Sequence, residues 1–342
     1  MTTIYLMTPG ATFKVHGNYL KVYEEQEQRI CVPIRNISQF INIGNIHLPK
    51  ELIKIIKLSE IPVLYLTESS EYMGRLENPE QVQAKYLTYQ QRRARDVEAN
   101  YATAGSMVWA RIHNQHTCLQ IWTQYYADYT TERALNYLTL LMDNLPLAPS
   151  LNDLHEFVEE ADKFYYNAIT SLLSFHNHCP RTTVKQFNTL FNLGNQLLHQ
   201  YIYTHLITAG LHPNYPIFHN GADYELPLAW DFVAEFQAPI VHDLVLNFVR
   251  NLPSFNGNGK KPRTIMQKFL QSWEGKLKTF VLHPFAGEVS YRQCIQLQVQ
   301  EYVASLFGNV EYYRPLAFKF HPNHSSFANN TQTQKPALTL VK

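Results

Sequence analysis

One histidine and two acidic residues lie close together in the last part of an apolar run between positions 209 and 236. Asp231 follows His219 by twelve residues, and Glu235 follows it by sixteen. Imidazole nitrogens and carboxylate oxygens bind divalent cations and exchange protons. On a helix, residues three apart share a face, whereas neighbours point about 100° apart. A helix here would therefore place Asp231 and Ala234 on one face and turn Glu235 away from Ala234.

The secondary structure that must position these residues is predicted to change from strands to helices near residue 80. Before it, short apolar runs separated by turn residues predict strands, with one amphipathic helix over 48–59. After it, apolar residues recur at helical spacing over 81–125, 131–145, 151–174, 184–209, 228–252, 264–280 and 288–308. We predict the fold class α+β, with an N-terminal β-rich domain over 1–80 and a larger all-α-helical domain over 81–320. Residues 321–342 are polar and aperiodic, which predicts a disordered tail.

Bulk composition limits the class of protein. The 342 residues are 45% hydrophobic and carry a net charge of +1, so overall charge does not suggest a nucleic-acid binder. The four cysteines form no Cys-x-x-Cys pair, which favours a reduced, cytoplasmic setting. We expect no membrane span, because no apolar run of about 18 residues is evident, and no secretory signal at the N-terminus.

Three segments carry a family resemblance. Residues 209–213 read Ala-Gly-Leu-His-Pro, 217–219 read Ile-Phe-His, and 228–236 read Leu-Ala-Trp-Asp-Phe-Val-Ala-Glu-Phe. They resemble AGLxP, then G-F-L-H, then L-A-L-D-L-M-E-E-F-R-P of the CRISPR-associated adaptation integrase, a metal-dependent nuclease that inserts spacers into CRISPR arrays. Residues 107–115 are similar to the family's I-V-x-x-K-I-x-N-Q helix. The resemblance extends over roughly residues 4–315.

The resemblance implies a glutamate, a histidine and a second acid around Mg or Mn, with a DNA 3′-hydroxyl attacking the polarised phosphate. His219 matches the histidine, and Ala234 stands where the second acid is expected. The motif E-G-x-A-x-[KR]-x-Y-[WF] fits residues 158–166 without a gap, which puts Val158 at the first glutamate. A shift by one residue would put Glu159 there instead, and both alignments stay open.

The same resemblance suggests roles for neighbouring residues. We predict catalytic roles for His219 and Asp231 and metal binding by His219, Glu159 and Glu235. Val158 and Ala234 are degenerate family positions, and Asp162 is a further possible substitute. Basic residues predicted to contact DNA are Arg181, Lys260, Lys261 and Arg263.

The family resemblance also implies partners and leaves three hypotheses for function. The expected partners are a second copy, joined through the β-rich domain, a small ferredoxin-like adaptation protein, and double-stranded or branched DNA. The first hypothesis is a CRISPR adaptation protein whose catalysis is impaired or lost. The second is an active integrase whose site is rebuilt from neighbouring carboxylates. The third is a non-catalytic interaction or scaffold protein.

Overall fold

The structure is a computed structural model that describes residues 2–7, 10–24, 26–76, 84–125, 127–176, 181–219, 224–251 and 262–319. These residues form two compact units. The first contains the described residues up to 76 together with residues 262–274. The second contains residues 84–251 and 275–319 as far as they are described.

The first unit is built from two sheets, one helix between strands, and residues 262–274 of a later helix. Its elements are β1 Thr2–Leu6, β2 Thr12–His16, β3 Tyr19–Glu24, β4 Glu27–Pro33, β5 Ile37–Ile43, α1 Lys50–Leu58, β6 Val63–Leu66 and β7 Tyr72–Leu76. One sheet has the order β1-β5-β6-β7, with only the last pair antiparallel, and the other is an antiparallel β2-β3-β4 meander. Both sheets and α1 contribute to one apolar core that includes Leu6, Val22, Phe40, Ile56 and Val63.

Local sequence explains how this unit turns. His16 pairs with Tyr19 across a two-residue loop, and Gly17 in that loop has φ of +57°. This left-handed conformation costs glycine little and suits a tight hairpin. Strands β5 and β6 are parallel, so their connection must cross over, and it does so through α1.

The second unit is helical, apart from one hairpin. Its elements are α2 Ala84–Arg95, α3 Val97–Thr123, α4 Tyr129–Asn144, α5 Leu151–His176, α6 Arg181–Thr208, α7 Pro227–Phe236, α8 Asp243–Arg250, the end of α9 Pro262–Leu277, β8 Phe280–His283, β9 Gly287–Ser290 and α10 Tyr291–Leu306. Helices α3, α4 and α5 pack on one another, and α7 packs between α3 and α6. The predicted α+β fold class is confirmed.

Two predicted helices are interrupted. The predicted helix 81–125 divides at Asp96, whose carboxylate accepts the Ala99 N–H and so begins α3. The predicted helix 228–252 contains a π-helical segment, Gln237–His242, in which the N–H of Asp243 bonds to the carbonyl of Ala238, five residues earlier. Pro239 lies in this segment and has no N–H to offer a regular helix.

The hairpin β8–β9 was not predicted; it lies at the junction of the predicted helices 264–280 and 288–308, and only β9 largely overlaps one of them. The helical run Pro227–Arg250 is long and apolar enough to cross a membrane by length and composition alone, although it contains charged residues such as Asp231 and Glu235. However, 78% of its most apolar window is buried inside the protein, as in the core helix of a soluble domain. The predicted tail lies outside the described residues.

Candidate active site

The carboxylate of Asp231 organises the loop that carries His219. Its side chain has no exposed surface, and its oxygens accept the backbone N–H groups of Ile217 at 2.6 Å, Phe218 at 3.2 Å and His219 at 2.9 Å. The same carboxylate lies 2.8 Å from the Nδ1 atom of His219. An ionised carboxylate only accepts, so Nδ1 carries the proton and Nε2 of a neutral imidazole keeps its lone pair. Asp231 therefore fixes both the loop and the ring of His219.

The loop is also held from α3 and α7. Asn100 donates its amide to the carbonyl of Ile217 at 2.9 Å. Pro227 is the first residue of α7, a position that needs no N–H donor, and the N–H of Leu228 reaches the carbonyl of Pro213 at 3.0 Å. These contacts place Asp231, one turn into α7, directly beneath the loop.

Helix α5 brings a second histidine to this loop. The ring of His155 stacks on Phe218 with centroids 4.1 Å apart and planes 25° apart. Burial lowers the pKa of His155, and the nearby His219 lowers it further, whereas Glu159 and Asp231 act in the opposite direction. His155 is thus influenced by charged groups from both α5 and the loop of His219. The sequence interpretation missed His155, although its spacing of four residues from Glu159 was visible.

Val158 lies on the same stretch of α5 and offers no ligand atom. It is half-buried, three residues after His155 and therefore on the same side of the helix. Glu159 is exposed. Both candidates for the family glutamate lie three or four residues after His155 on α5, and the choice between the two alignments stays a prediction.

Asp162 is bound to another partner. The Nη2 atom of Arg111 lies 2.9 and 2.7 Å from its two carboxylate oxygens, and the amide of Gln115 donates to Oδ1 at 2.8 Å. Burial acts to lower the pKa of Arg111, but the charge and hydrogen bond of Asp162, together with the nearby Tyr166 and Tyr224, raise it overall. The guanidinium and the carboxylate thus neutralise each other, and Asp162 has a structural role between α3 and α5.

Glu235 faces a different network. Its carboxylate is buried and accepts from the hydroxyl of Tyr313 at 2.6 Å and from the N–H of Leu316 at 2.8 Å. Burial raises the pKa of Glu235 to about 8, although hydrogen bonds from Tyr313, Leu316 and Gln298 act to lower it. Both oxygens are engaged with the chain after α10. The neighbouring Ala234 is buried and contributes only a methyl group.

The chain after α10 is fastened by Asn114 of α3. We call residues 313–318 the C-terminal strap. The amide of Asn114 donates to the carbonyls of Glu235 at 2.8 Å and Leu316 at 2.9 Å, and its oxygen accepts the N–H of Phe318 at 2.9 Å. Asn114 belongs to the motif over 107–115, and the structure gives it the task of joining α3, α7 and the strap.

These donor sets do not fit Mg²⁺ or Mn²⁺, which take mostly oxygen ligands. Among the residues that the structure describes, no group of three or more histidine, cysteine, aspartate or glutamate side chains is arranged to hold a metal ion. Both carboxylate oxygens of Asp231 already accept hydrogen bonds from the loop and from the His219 ring. The remaining donor atoms are imidazole nitrogens and the carboxylate of the exposed Glu159. The predicted metal role of Glu235 competes with its bonds to Tyr313 and Leu316.

The basic residues predicted to contact DNA are spread along the chain. Arg181 is the first residue of α6, and Arg263 is the second residue of α9. Lys260 and Lys261 lie outside the described residues. Their roles stay predictions.

The chain matches one known protein family along most of its length. A family model described as "CRISPR associated protein Cas1" matches residues 4–257. A curated relative, "CRISPR-associated endonuclease Cas1 3" of Thermus thermophilus, is 23% identical over 333 residues, which cover 92% of this chain and 97% of the relative.

Solved structures share the fold. A casposase bound to its integration product superposes with a TM-score of 0.76 at 17% identity, over 96% of this chain and 97% of that one. A Cas6-RT-Cas1–Cas2 complex has a chain that superposes with a TM-score of 0.75 at 15% identity, over 92% of this chain and 36% of that one.

Proposed function

Because this chain belongs to the Cas1 family of CRISPR-associated proteins, we propose that it serves CRISPR adaptation as a DNA-binding member with impaired Mg- or Mn-dependent catalysis. Endonucleases of the family are generally metal-dependent. The proposal concerns the step that needs the metal, in which a DNA 3′-hydroxyl attacks a phosphate. Binding of double-stranded or branched DNA and assembly with partners would remain.

The observation that carries the proposal is the set of side chains around His219. Ala234 stands at one family carboxylate position, and in the ungapped alignment Val158 stands at the other; neither side chain has a ligand atom. The neighbouring acids have other partners: Asp162 pairs with Arg111, and Glu235 bonds to the C-terminal strap. Among the neighbouring acids, only the exposed Glu159 would be left to offer a carboxylate to a hard divalent cation at His219, which is fewer oxygen ligands than its Lewis-acid chemistry requires.

The proposed setting follows the family. We expect a cytoplasmic homodimer, joined through the β-rich first unit, that binds a small ferredoxin-like adaptation protein. The likeness to a Cas1-containing chain in a complex with Cas2 supports such a partner. The likeness to a casposase bound to an integration product supports binding of branched DNA.

The second hypothesis, an active enzyme with a rebuilt site, has one observation in its favour. Asp231 holds His219 with its Nε2 atom available, which is the arrangement of a metal-binding or proton-transferring histidine. A chain that had abandoned the site would have no need of this positioning. The experiment below separates the two hypotheses.

The test measures cleavage and strand transfer on double-stranded and branched DNA with Mn²⁺ or Mg²⁺. Wild type is compared with the double variant Val158→Glu/Ala234→Glu, with His219→Ala, and with Val158→Gln/Ala234→Gln as a control of similar size without charge. We expect an inactive wild type and activity only in the glutamate pair. Metal-dependent activity of wild type that His219→Ala abolishes would overturn the proposal of impaired catalysis.

DNA binding is measured separately by fluorescence anisotropy over a salt series. We expect all four proteins to bind, with affinity that falls as salt rises, because phosphate contacts release counterions. Absence of salt-dependent binding in wild type would favour the interaction or scaffold hypothesis instead.

A further inference from the structure

A groove lined by aromatic side chains lies in the second unit, between α3, the segment that joins α4 to α5, and the chain after α10. Its volume is about 440 Å³, within the range of pockets that bind small ligands. Flat rings and prolines form much of its wall: Tyr101, Trp109, Pro146, Tyr312 and Pro315. No residue predicted to bind metal or to contact DNA belongs to this wall, so the groove is separate from the candidate active site.

The wall of the groove is held in place by contacts within the protein. The hydroxyl of Tyr101 donates to a backbone carbonyl of the segment between α4 and α5, and the ring of Trp109 stacks on His113 with centroids 4.9 Å apart. The C-terminal strap supplies Tyr313, whose hydroxyl donates to Glu235 at 2.6 Å. Because these side chains are already ordered, a ligand that binds here loses little affinity to ordering them.

Two hydrogen-bond donors on the wall are open to a ligand. Trp109 is 39% exposed and Tyr312 is 55% exposed. Among the residues that the structure describes, neither the indole N–H of Trp109 nor the hydroxyl of Tyr312 has a hydrogen-bond partner. Rings of this kind pack against apolar side chains of a ligand while the polar group at the ring edge reaches a carbonyl oxygen.

Two glutamates flank the groove. Glu98 lies one turn before the wall residue Ala102 on the same face of α3, and Glu311 precedes the first wall residue of the chain after α10. Both side chains are exposed, and neither forms an ion pair with another described residue. Their charges are therefore available to a basic group on a ligand.

The other charged residues near the groove leave the balance acidic. Within four positions of a wall residue along the chain lie three further acids and one lysine: Asp143, Asp153, Glu156 and Lys319. The arginines in the same range are paired, Arg111 with Asp162 and Arg314 with Glu301. Acidic side chains attract arginine and lysine and repel phosphate, so the charge around the groove favours a basic peptide over nucleic acid.

We propose that this groove binds an extended, proline-containing segment of a partner protein that carries an arginine or lysine beside its prolines. Proline-rich chains form an extended helix without internal hydrogen bonds, so their carbonyls can accept from Trp109 and Tyr312. Grooves lined by aromatic rings recognise such chains, because the preformed helix loses little entropy on binding. Glu98 and Glu311 pair with the basic residue of the segment. The inference goes beyond the proposed function and requires neither catalysis nor DNA.

The first experiment selects peptides from a random dodecapeptide library, displayed on phage, against the full-length protein. We expect enrichment of peptides with two prolines and a neighbouring arginine or lysine. The most enriched peptide is then labelled and titrated by fluorescence anisotropy. Gly105→Phe fills the groove, because a Cβ atom at this wall residue meets no atom within 4 Å, and Gly105→Ala is the matched control. Binding should be at least about tenfold weaker in Gly105→Phe and in Trp109→Ala and unchanged in Gly105→Ala.

A second set of variants tests the charge of the groove. Glu98→Gln/Glu311→Gln should weaken binding of the basic peptide about three- to tenfold and reduce the dependence of its affinity on salt. Glu132→Gln, about 20 Å along α4 from the wall residue Leu145, is the control and should bind as wild type does. A peptide whose basic residue is replaced by glutamine should bind wild type and the double variant equally.

The outcomes decide the proposal. A selection that enriches no peptide, or only peptides without proline, would overturn it, and so would equal affinity in wild type and Gly105→Phe. Binding of a single-stranded oligothymidine that Gly105→Phe abolishes would show a base-stacking site and contradict the assigned partner. Double-stranded DNA is titrated in parallel, and its retained binding by Gly105→Phe would separate failure of the groove from failure of the proposed function. Thermal denaturation checks that each variant folds.

Discussion

The Nδ1 atom of His219 lies 2.8 Å from a carboxylate oxygen of Asp231, and the same carboxylate binds three consecutive backbone N–H groups of the loop. One side chain thus fixes the position of the histidine and the tautomer of its ring. Asp231 acts on this site as a positioning residue.

We predict that Asp231→Asn destabilises the protein by about 3 kcal/mol, because a charged acceptor of four hydrogen bonds becomes an amide with one acceptor oxygen. The His219 ring should lose its preference for the proton on Nδ1. Chemical denaturation measures the first effect and nitrogen NMR of the ring measures the second. Glu156→Gln, an exposed change on α5, is the control and should do neither. A variant as stable as wild type with an unchanged tautomer would contradict this role.

The sequence predicted the helices and strands more accurately than the points at which they are interrupted. Strand and helix periodicity predicted the β-rich first part and the helices that follow, because each element buries one face. The break at Asp96 depends on a hydrogen bond from the Ala99 N–H to the Asp96 carboxylate, and the π-helical segment around Pro239 depends on backbone hydrogen bonds; neither changes the apolar periodicity. The hairpin β8–β9 is too short to show a strand pattern of its own.

At the site, the sequence identified which acids were near His219 but not what those acids bind. Asp162, Asp231 and Glu235 were all candidates for metal or catalytic roles. Their partners come from positions 51 residues away for Arg111 and 78 residues away for Tyr313. Such long-range pairings are properties of the packed fold. His155 was missed because it contacts Phe218 only in the folded protein, where the loop of His219 packs against α5.

The pair Arg111–Asp162 should be energetically coupled. The guanidinium and carboxylate are 12% and 27% exposed, so water screens them weakly. We predict a coupling free energy of about 2 kcal/mol in a double-mutant cycle with Arg111→Met and Asp162→Asn, measured by denaturation. The pair Lys163–Glu160 on the same helix, 3.4 Å apart and well exposed, is the matched control, with expected coupling below about 0.5 kcal/mol. Equal coupling in both pairs would show that Asp162 is not fixed by Arg111.

Asn114 should fasten the C-terminal strap. Its replacement by alanine removes two donors and one acceptor from buried backbone groups, including the N–H of Phe318. We predict a loss of about 3 kcal/mol in stability and hydrogen exchange at Leu316 and Phe318 at least about tenfold faster. Asn144→Ala, which removes an exposed bond within α4, should change stability by less than about 0.5 kcal/mol. Unchanged exchange in the strap would exclude this role for Asn114.

Glu235 should make the stability of the protein fall as pH rises. Burial raises its pKa in the folded state to about 8, from 4.5 as the ordinary value. The folded protein therefore holds a proton that the unfolded chain releases. The stability that this bound proton contributes is fully present below the ordinary pKa of 4.5. It is lost as pH rises through the pKa of the folded state, by at most about 1.4 kcal/mol per pH unit.

The neutral isostere Glu235→Gln keeps an acceptor for the Leu316 N–H and removes the titration. We expect the melting temperature of wild type to fall relative to Glu235→Gln between pH 5 and pH 8, measured at constant ionic strength. Glu160→Gln, at a 42% exposed position, should follow wild type over the same range. Parallel curves for wild type and Glu235→Gln would show that the buried carboxylate is ionised in the folded protein, held so by Tyr313 and Leu316.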